Sequence, residues 1–354
     1  MKKQYKEDIE YMIKKLEEKH ISLYYNIDKS SIMNMLFDAE IKNDYDFYYH
    51  ISKILSKFND AHVMCNPGKE MSYVYKRPLP LEFAFLGGSV YIMKIADEYE
   101  NFRFGEVLAI NNVPIKQIIE DYIEITPNIL GSKEAEIERM LNRRHILTSL
   151  PSINTDTKNF TFLIKTKNGK KSLDINLEEH NIKKYTYTEQ NDEELYSFEY
   201  LEEHNIMFIS YKLFKEMEDY SMDQFISDIK AIAFNKNCTD FILDIRGNKG
   251  GNSSLARPLI EYLSNPNYKI MTLMDKRIFS SAKLMLISLK RIGSKFIGEP
   301  LGAIINRFGE VRHFSLPSEK LTIEYVTKYF YLKDGKIGFL TVKSERLQAT
   351  HFSG

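Results

Sequence analysis

The stretch Phe241-Ile242-Leu243-Asp244-Ile245-Arg246-Gly247-Asn248-Lys249-Gly250-Gly251-Asn252-Ser253 decides how the rest of this chain is read. Its first half is a continuous apolar run, the pattern of a strand buried on both faces. The strand ends in an acidic and a basic residue, and three glycines follow at 247, 250 and 251. Glycines at such a turn allow positive φ and bring backbone N–H groups close to a ligand with no Cβ in the way. A helix predicted over 254–263 follows, and its first N–H groups favour negative charge. Two readings stand level on this spacing: a cradle for an oxyanion, or a tight structural turn. The phosphate-loop and dinucleotide-binding glycine spacings are both absent from the segment.

Further on, Phe279-Ser280-Ser281-Ala282 falls between a strand predicted over 271–274 and a helix predicted over 281–292. A serine at a strand-to-helix turn exposes its hydroxyl beside N–H groups that can face an oxyanion. By itself the pair reads more readily as a helix N-cap.

Working outward, strands and helices alternate from about residue 195, which predicts an α/β layer with a partly parallel sheet. Residues 80–185 carry short alternating strands, with a hairpin turn at Asn168-Gly169 and a helical stretch near 133–147. Residues 4–60 carry three helical periods, the last ending in Asn59-Asp60-Ala61-His62. These shifts predict three segments: a helical domain over 1–70, a small β module over 71–190 and an α/β core over 191–354.

The 354 residues hold 49 Lys+Arg against 49 Asp+Glu, so a net charge of zero gives no reason to expect nucleic acid as partner. Cys65 and Cys238 are too far apart and too few for a disulfide framework or a metal site, and no metal or other cofactor is expected. No run of 18 apolar residues marks a membrane span. The first residues are basic but lack an apolar stretch, which points to the cytoplasm if the chain is complete. Oligomeric state leaves no trace in the sequence.

Taken in order, several short motifs resemble those of the C-terminal-processing (tail-specific) serine peptidases, in a tricorn-like bacterial branch. Asp244 to Gly251 resembles the family's Asp-Leu-Arg-Gly-Asn-x-Gly-Gly, and Arg277 to Ala282 its Thr-x-Ser-Ala/Ser turn, with Ile278 in the threonine place. Gly298-Glu299-Pro300-Leu301-Gly302 resembles its Gly-Glu-Pro-Thr-Gly, and Asn59 to His62 its Asp-x-His. Residues 306–311 and 321–330 continue the pattern, and Gly105 to Ile115 is similar to strands of a PDZ-like module. The resemblance implies an α/β fold with a crotonase-like core of repeated ββα units, preceded by the helical cap and the PDZ-like module. It implies a peptidase that hydrolyses peptide bonds near protein or peptide C-termini, with Ser280 as nucleophile. The substrate's end would add to the PDZ-like module as a strand.

The lysine that many members pair with the serine would fall at Ile304, which cannot accept a proton. His62 is the replacement base, since an imidazole accepts protons near neutral pH. Glu310 and Glu324 are the candidates to orient it. The N–H groups of Gly250, Gly251 and Ser281 would hold the oxyanion. Lys283, on the first turn of its helix, is expected to point to solvent. Asp244 and Arg246 are expected to pair and brace the glycine turn. The competing reading is a catalytically inactive peptidase fold that binds a peptide or apolar ligand, which Ile304 favours. An acyl-CoA-processing enzyme shares the oxyanion logic, but no motif here points to CoA.

Overall fold

A computed structural model describes residues 1–71, 79–127, 133–153, 159–176, 194–299 and 307–330. The described residues of Met1–Thr188 and Asn306–Gly335 form one compact unit, and those of Glu189–Ile305 form another.

The first unit opens with three helices. α1 (Lys3–Lys19) buries Tyr5, Ile9, Met12, Ile13 and Leu16, a stripe at helical spacing. α2 (Lys29–Met35) is short. α3 (Asp44–Ser56) begins in a capping box, in which Asn43 accepts from the Asp46 N–H (2.9 Å) and Asp46 accepts from the Asn43 N–H (3.3 Å). Asn59 then turns the chain at φ 55°, a left-handed value that asparagine tolerates, and leads into β1 (Met64–Pro67).

An antiparallel sheet follows, from β2 (Leu81–Leu86), β3 (Ser89–Ile95), β4 (Glu106–Ile110), β5 (Val113–Pro114), β6 (Asn159–Thr166) and β7 (Gly169–Asn176). Its order is β2-β3-β4-β6-β7, with β5 paired to β4. Between β5 and β6 lie α4 (Ile115–Ile125), α5 (Lys133–Leu141) and α6 (Arg144–Ser149). The single helical stretch expected over 133–147 is thus two helices. The Asn142 side chain donates to the Glu138 carbonyl (3.0 Å) and ends α5 there.

The second unit is a five-stranded sheet. Its strands are β8 (Tyr196–Leu201), β9 (Ile206–Tyr211), β10 (Asp240–Asp244), β11 (Lys269–Met274) and β12 (Lys295–Gly298). The order is β12-β11-β10-β9-β8; β9 to β12 run parallel, and β8 is antiparallel to β9. The crossovers carry α7 (Met222–Asn235), α8 (Arg257–Leu263) and α9 (Ser281–Arg291), as expected of parallel strands. The helix expected from 254 is a 3-10 turn over Ser253–Ala256 before α8. Pro258 has no N–H to give to a preceding turn, so the α-helix starts around it.

The chain then returns to the first unit. β13 (Arg307–Ser315) and β14 (Leu321–Phe330) form a hairpin, and β14 pairs antiparallel with β1, Met64 opposite Glu324. This hairpin crosses the domain boundary expected at 190/191. Leu321, Ile323 and Tyr325 share one core with α1, α3 and the antiparallel sheet. Two polar contacts fasten the return: Ser318 N–H to Asp8 (3.1 Å) and Lys320 to Asp44 (2.7 Å).

That core also contains histidines that burial holds neutral. Burial pushes the His145 pKa down from 6.5 to about 3, and it lowers those of His20 and His50. A folded-state value below the unfolded one means stability that is full above pH 6.5 and is lost as pH falls toward 3. Wild-type stability in urea is expected to drop from pH 7 to pH 5. In His145→Gln the slope is expected to be shallower by up to about 1.4 kcal/mol per pH unit; equal slopes would show that His145 is not held neutral.

Candidate active site

The second unit's candidate residues meet where β10 and β11 end. Asn248, fully buried, organises them. Its Nδ2 donates to the Tyr211 carbonyl at the end of β9 (2.7 Å), and its Oδ1 accepts the Gly250 N–H (2.8 Å). Its backbone carbonyl accepts the Phe279 N–H (2.9 Å), one residue before Ser280. Asp275, also buried, accepts the Gly247 and Arg277 N–H groups (2.9 and 3.1 Å) and holds the Arg277 guanidinium. Asp244 grips Arg246 through both carboxylate oxygens (2.9 and 2.7 Å), the brace expected from the sequence. The glycine turn and the serine turn are thus fixed to each other and to the strand ends.

Within this frame Ser280 has φ 51° and ψ −130°. This differs from the left-handed helical geometry of Asn205 in the same unit (φ 51°, ψ 46°). A non-glycine residue there is strained by about 1–3 kcal/mol and persists only where its surroundings enforce it. Gly250 (φ +89°) provides the room: a Cβ on it would lie 2.8 Å from the Ser280 Cβ and 2.6 Å from the Ser281 nitrogen. Gly251 (φ +126°) is confined in the same way, since a Cβ would meet the Phe214 carbonyl oxygen at 2.3 Å. The Ser281 hydroxyl donates to the Gly251 carbonyl (2.7 Å) and closes the arrangement.

Three sequence readings change here. Ser280 stands at the N-cap of α9, but its side chain makes no capping hydrogen bond, so helix capping does not account for it. The Gly250 N–H donates to Asn248, so what Gly250 gives Ser280 is space. Lys283, expected in solvent, is half-buried with its ammonium 5.4 Å from the Phe279 ring centroid. Ile304 lies outside the described residues.

His62, Glu324 and Glu310 belong to the first unit. His62 is buried, and Asp60 two residues before it accepts both its N–H (2.8 Å) and its Nδ1–H (3.2 Å). A carboxylate only accepts, so this contact places a proton on Nδ1. Asp60 also acts electrostatically on buried His20, raising a pKa that burial lowers. Glu324 lies opposite Met64 across the β1–β14 ladder and accepts from Asn66 Nδ2 (2.8 Å). Glu310 lies within β13 with φ 56° and pairs with Lys328 and Arg312, which lower its pKa. The structure therefore gives His62 a carboxylate neighbour that sequence reading overlooked, although Asp60 stood in the quoted motif. Asn248 and Asp275 were also overlooked as the residues that hold the serine turn.

Among the described residues no helix is long and apolar enough to cross a membrane. Residues 205–272 match the model of peptidase family S41, a span from just before β9 into β11. No curated protein matches the chain in sequence. Among solved structures it is similar to mature CPAF, with a TM-score of 0.63 at 13% identity over 96% of this chain and 91% of that one. A CPAF complex with lactacystin gives the same score and identity over 92% and 89%. The photosystem II D1 C-terminal processing protease gives 0.51 at 10% identity over 98% and 94%. Identities this low carry the fold, and the mixed α/β fold is the one these peptidases share. The chain thus matches the model of peptidase family S41 over residues 205–272, and its fold is similar to those of mature CPAF and the D1 C-terminal processing protease.

Proposed function

We propose that the protein is a serine peptidase that cuts peptide bonds near the C-termini of proteins or peptides, with Ser280 as nucleophile. The observation that carries this reading is the Ser280 backbone at φ 51°, ψ −130°, enforced by Asn248 and Gly250. Strain at a serine on a strand-to-helix turn has a use when that turn presents a hydroxyl to a reacting carbonyl. Ser281 gives its hydroxyl to the Gly251 carbonyl, which supports Ser280 as the reactive member of the pair.

In this mechanism His62 Nε2 takes the Ser280 hydroxyl proton as Oγ attacks the substrate carbonyl carbon. The carbonyl oxygen becomes an oxyanion held by the Gly251 and Ser281 N–H groups. The C–N bond then breaks, the leaving amine takes the proton from His62, and water hydrolyses the acyl-enzyme with the same base. Asp60 orients His62, a role supported by its 3.2 Å contact with Nδ1. Glu324, on the strand paired with β1, is the second acid on the His62 side. Glu310 is better read as part of a strand ion pair. On this reading Ile304 excludes a Ser–Lys dyad, the chain from 191 supplies a crotonase-like core without the β13–β14 hairpin, which belongs to the first unit, 71–190 supplies a PDZ-like module and 1–70 a helical cap.

A serine-directed fluorophosphonate is expected to label the wild-type chain at Ser280. Ser280→Ala is expected to abolish the label and Ser281→Ala to slow it; no wild-type labelling, or labelling that survives Ser280→Ala, overturns the assignment.

His62→Ala is expected to lower the labelling rate by about 10²–10⁴-fold, the usual worth of a general base. Asp60→Asn should lower it by about tenfold or more, through loss of the tautomer that Asp60 holds. A rate unchanged in both variants would remove the first unit's histidine from the mechanism.

A further inference from the structure

The β2 strand ends the order of its sheet, with β3 on one side. An end strand presents outward N–H and C=O groups, the template on which an extended peptide adds as a further strand. On β2 those groups are already held. Asn142 Oδ1 accepts the Phe83 N–H (2.6 Å), and Asn142 Nδ2 donates to the Phe83 carbonyl (3.0 Å). Two residues along the same edge, Glu138 accepts the Phe85 N–H (3.1 Å).

The spacing makes this substitution possible. Residues two apart on a strand are separated by about 7 Å, and residues four apart on a helix by about 6 Å. Glu138 and Asn142 are four apart, so they meet Phe85 and Phe83 nearly in register, with α5 antiparallel to β2. A carboxamide carries the donor and acceptor of a peptide unit, and Asn142 makes with Phe83 the two-bond pairing that a neighbouring strand would make. Phe83, Phe85 and Glu138 are buried, whereas Asn142 lies at the exposed end of the latch.

We propose that α5 is a built-in competitor for strand addition at β2: an extended peptide pairs with Phe83 and Phe85 only by displacing Asn142 and Glu138. The surface is a self-occupied peptide site, and its partner is a segment in β conformation that supplies alternating backbone donors and acceptors. The proposal does not depend on whether Ser280 cuts.

The test uses the full chain in a Ser280→Ala background, so that turnover plays no part. The probe is a fluorescein-labelled peptide of alternating threonine and valine. Asn142→Ala is expected to tighten its binding about fivefold, what one net hydrogen bond is worth. The same variant should exchange the β2 amides faster than its parent, and bound peptide should restore their protection. Asn142→Asp keeps the acceptor for Phe83 and loses the donor, so its affinity should fall between the two; if the alanine variant fails to fold, the comparison of Asn142→Asp with the parent decides in the same terms. Equal affinity in variant and parent, β2 exchange unchanged by the substitution, or binding that leaves the β2 amides unprotected each overturns the proposal.

Discussion

A buried carboxamide must have its donors and acceptor bonded, because an unmet polar group away from water costs about 1–3 kcal/mol. The Asn248 carboxamide meets that demand at the end of β9 and in its own glycine turn, and its main-chain carbonyl takes the N–H of the residue before Ser280. The sheet supplies the platform, but this one residue, through side chain and main chain together, sets where the two turns lie relative to each other. Asp275 repeats the device with a carboxylate, joining Gly247 to the start of the serine turn. The strained serine is therefore held from two sides by buried polar groups whose bonds are made whether or not a substrate is present. Such preorganisation is what a site needs if it is not to rearrange as charge develops on a reacting carbonyl.

The first unit contributes chemistry of a different kind. His62 follows a left-handed asparagine and shares its turn with Asp60, so histidine and carboxylate are brought together by four residues of local chain. Local closure of this sort needs little help from the rest of the fold. Glu324, by contrast, reaches the neighbourhood of β1 only through a ladder between strands far apart in sequence.

That contrast also explains what could be read from the sequence. The parallel core was legible because each strand carries its own signal: the apolar run ending at Ile245 is paired on both sides, although it buries Phe241, Leu243 and Ile245 on one face and leaves Ile242 partly exposed on the other. The β6–β7 hairpin was legible from its asparagine-glycine turn, and α3 from its periodicity. The glycine turn pointed to a special backbone, and the motif order pointed to Ser280. What stayed hidden depends on partners. The β13–β14 hairpin was assigned to the wrong part of the chain because nothing in its own residues names β1 as its neighbour. The break between α5 and α6 follows from an Asn142 side chain engaged with β2, a tertiary contact invisible to helical periodicity. Asp60 carries no mark of its role in sequence, because only the folded turn brings its carboxylate to the imidazole.

The β1–β14 pairing has a consequence for how the chain is made. Asn66 and Glu324, hydrogen-bonded across that ladder, are 258 residues apart. On a ribosome the N-terminal helices and the β2–β7 sheet emerge early, yet the three-stranded sheet beside His62 cannot close until β14 has left the exit tunnel. The whole parallel domain, from β8 to β12, is synthesised in between and can fold as a separate body first. Closure of a loop this long is entropically slow compared with the local steps before it. The strand that follows the histidine is thus among the last pieces to be fixed, so a nascent chain carries a formed serine turn well before it carries a finished first unit.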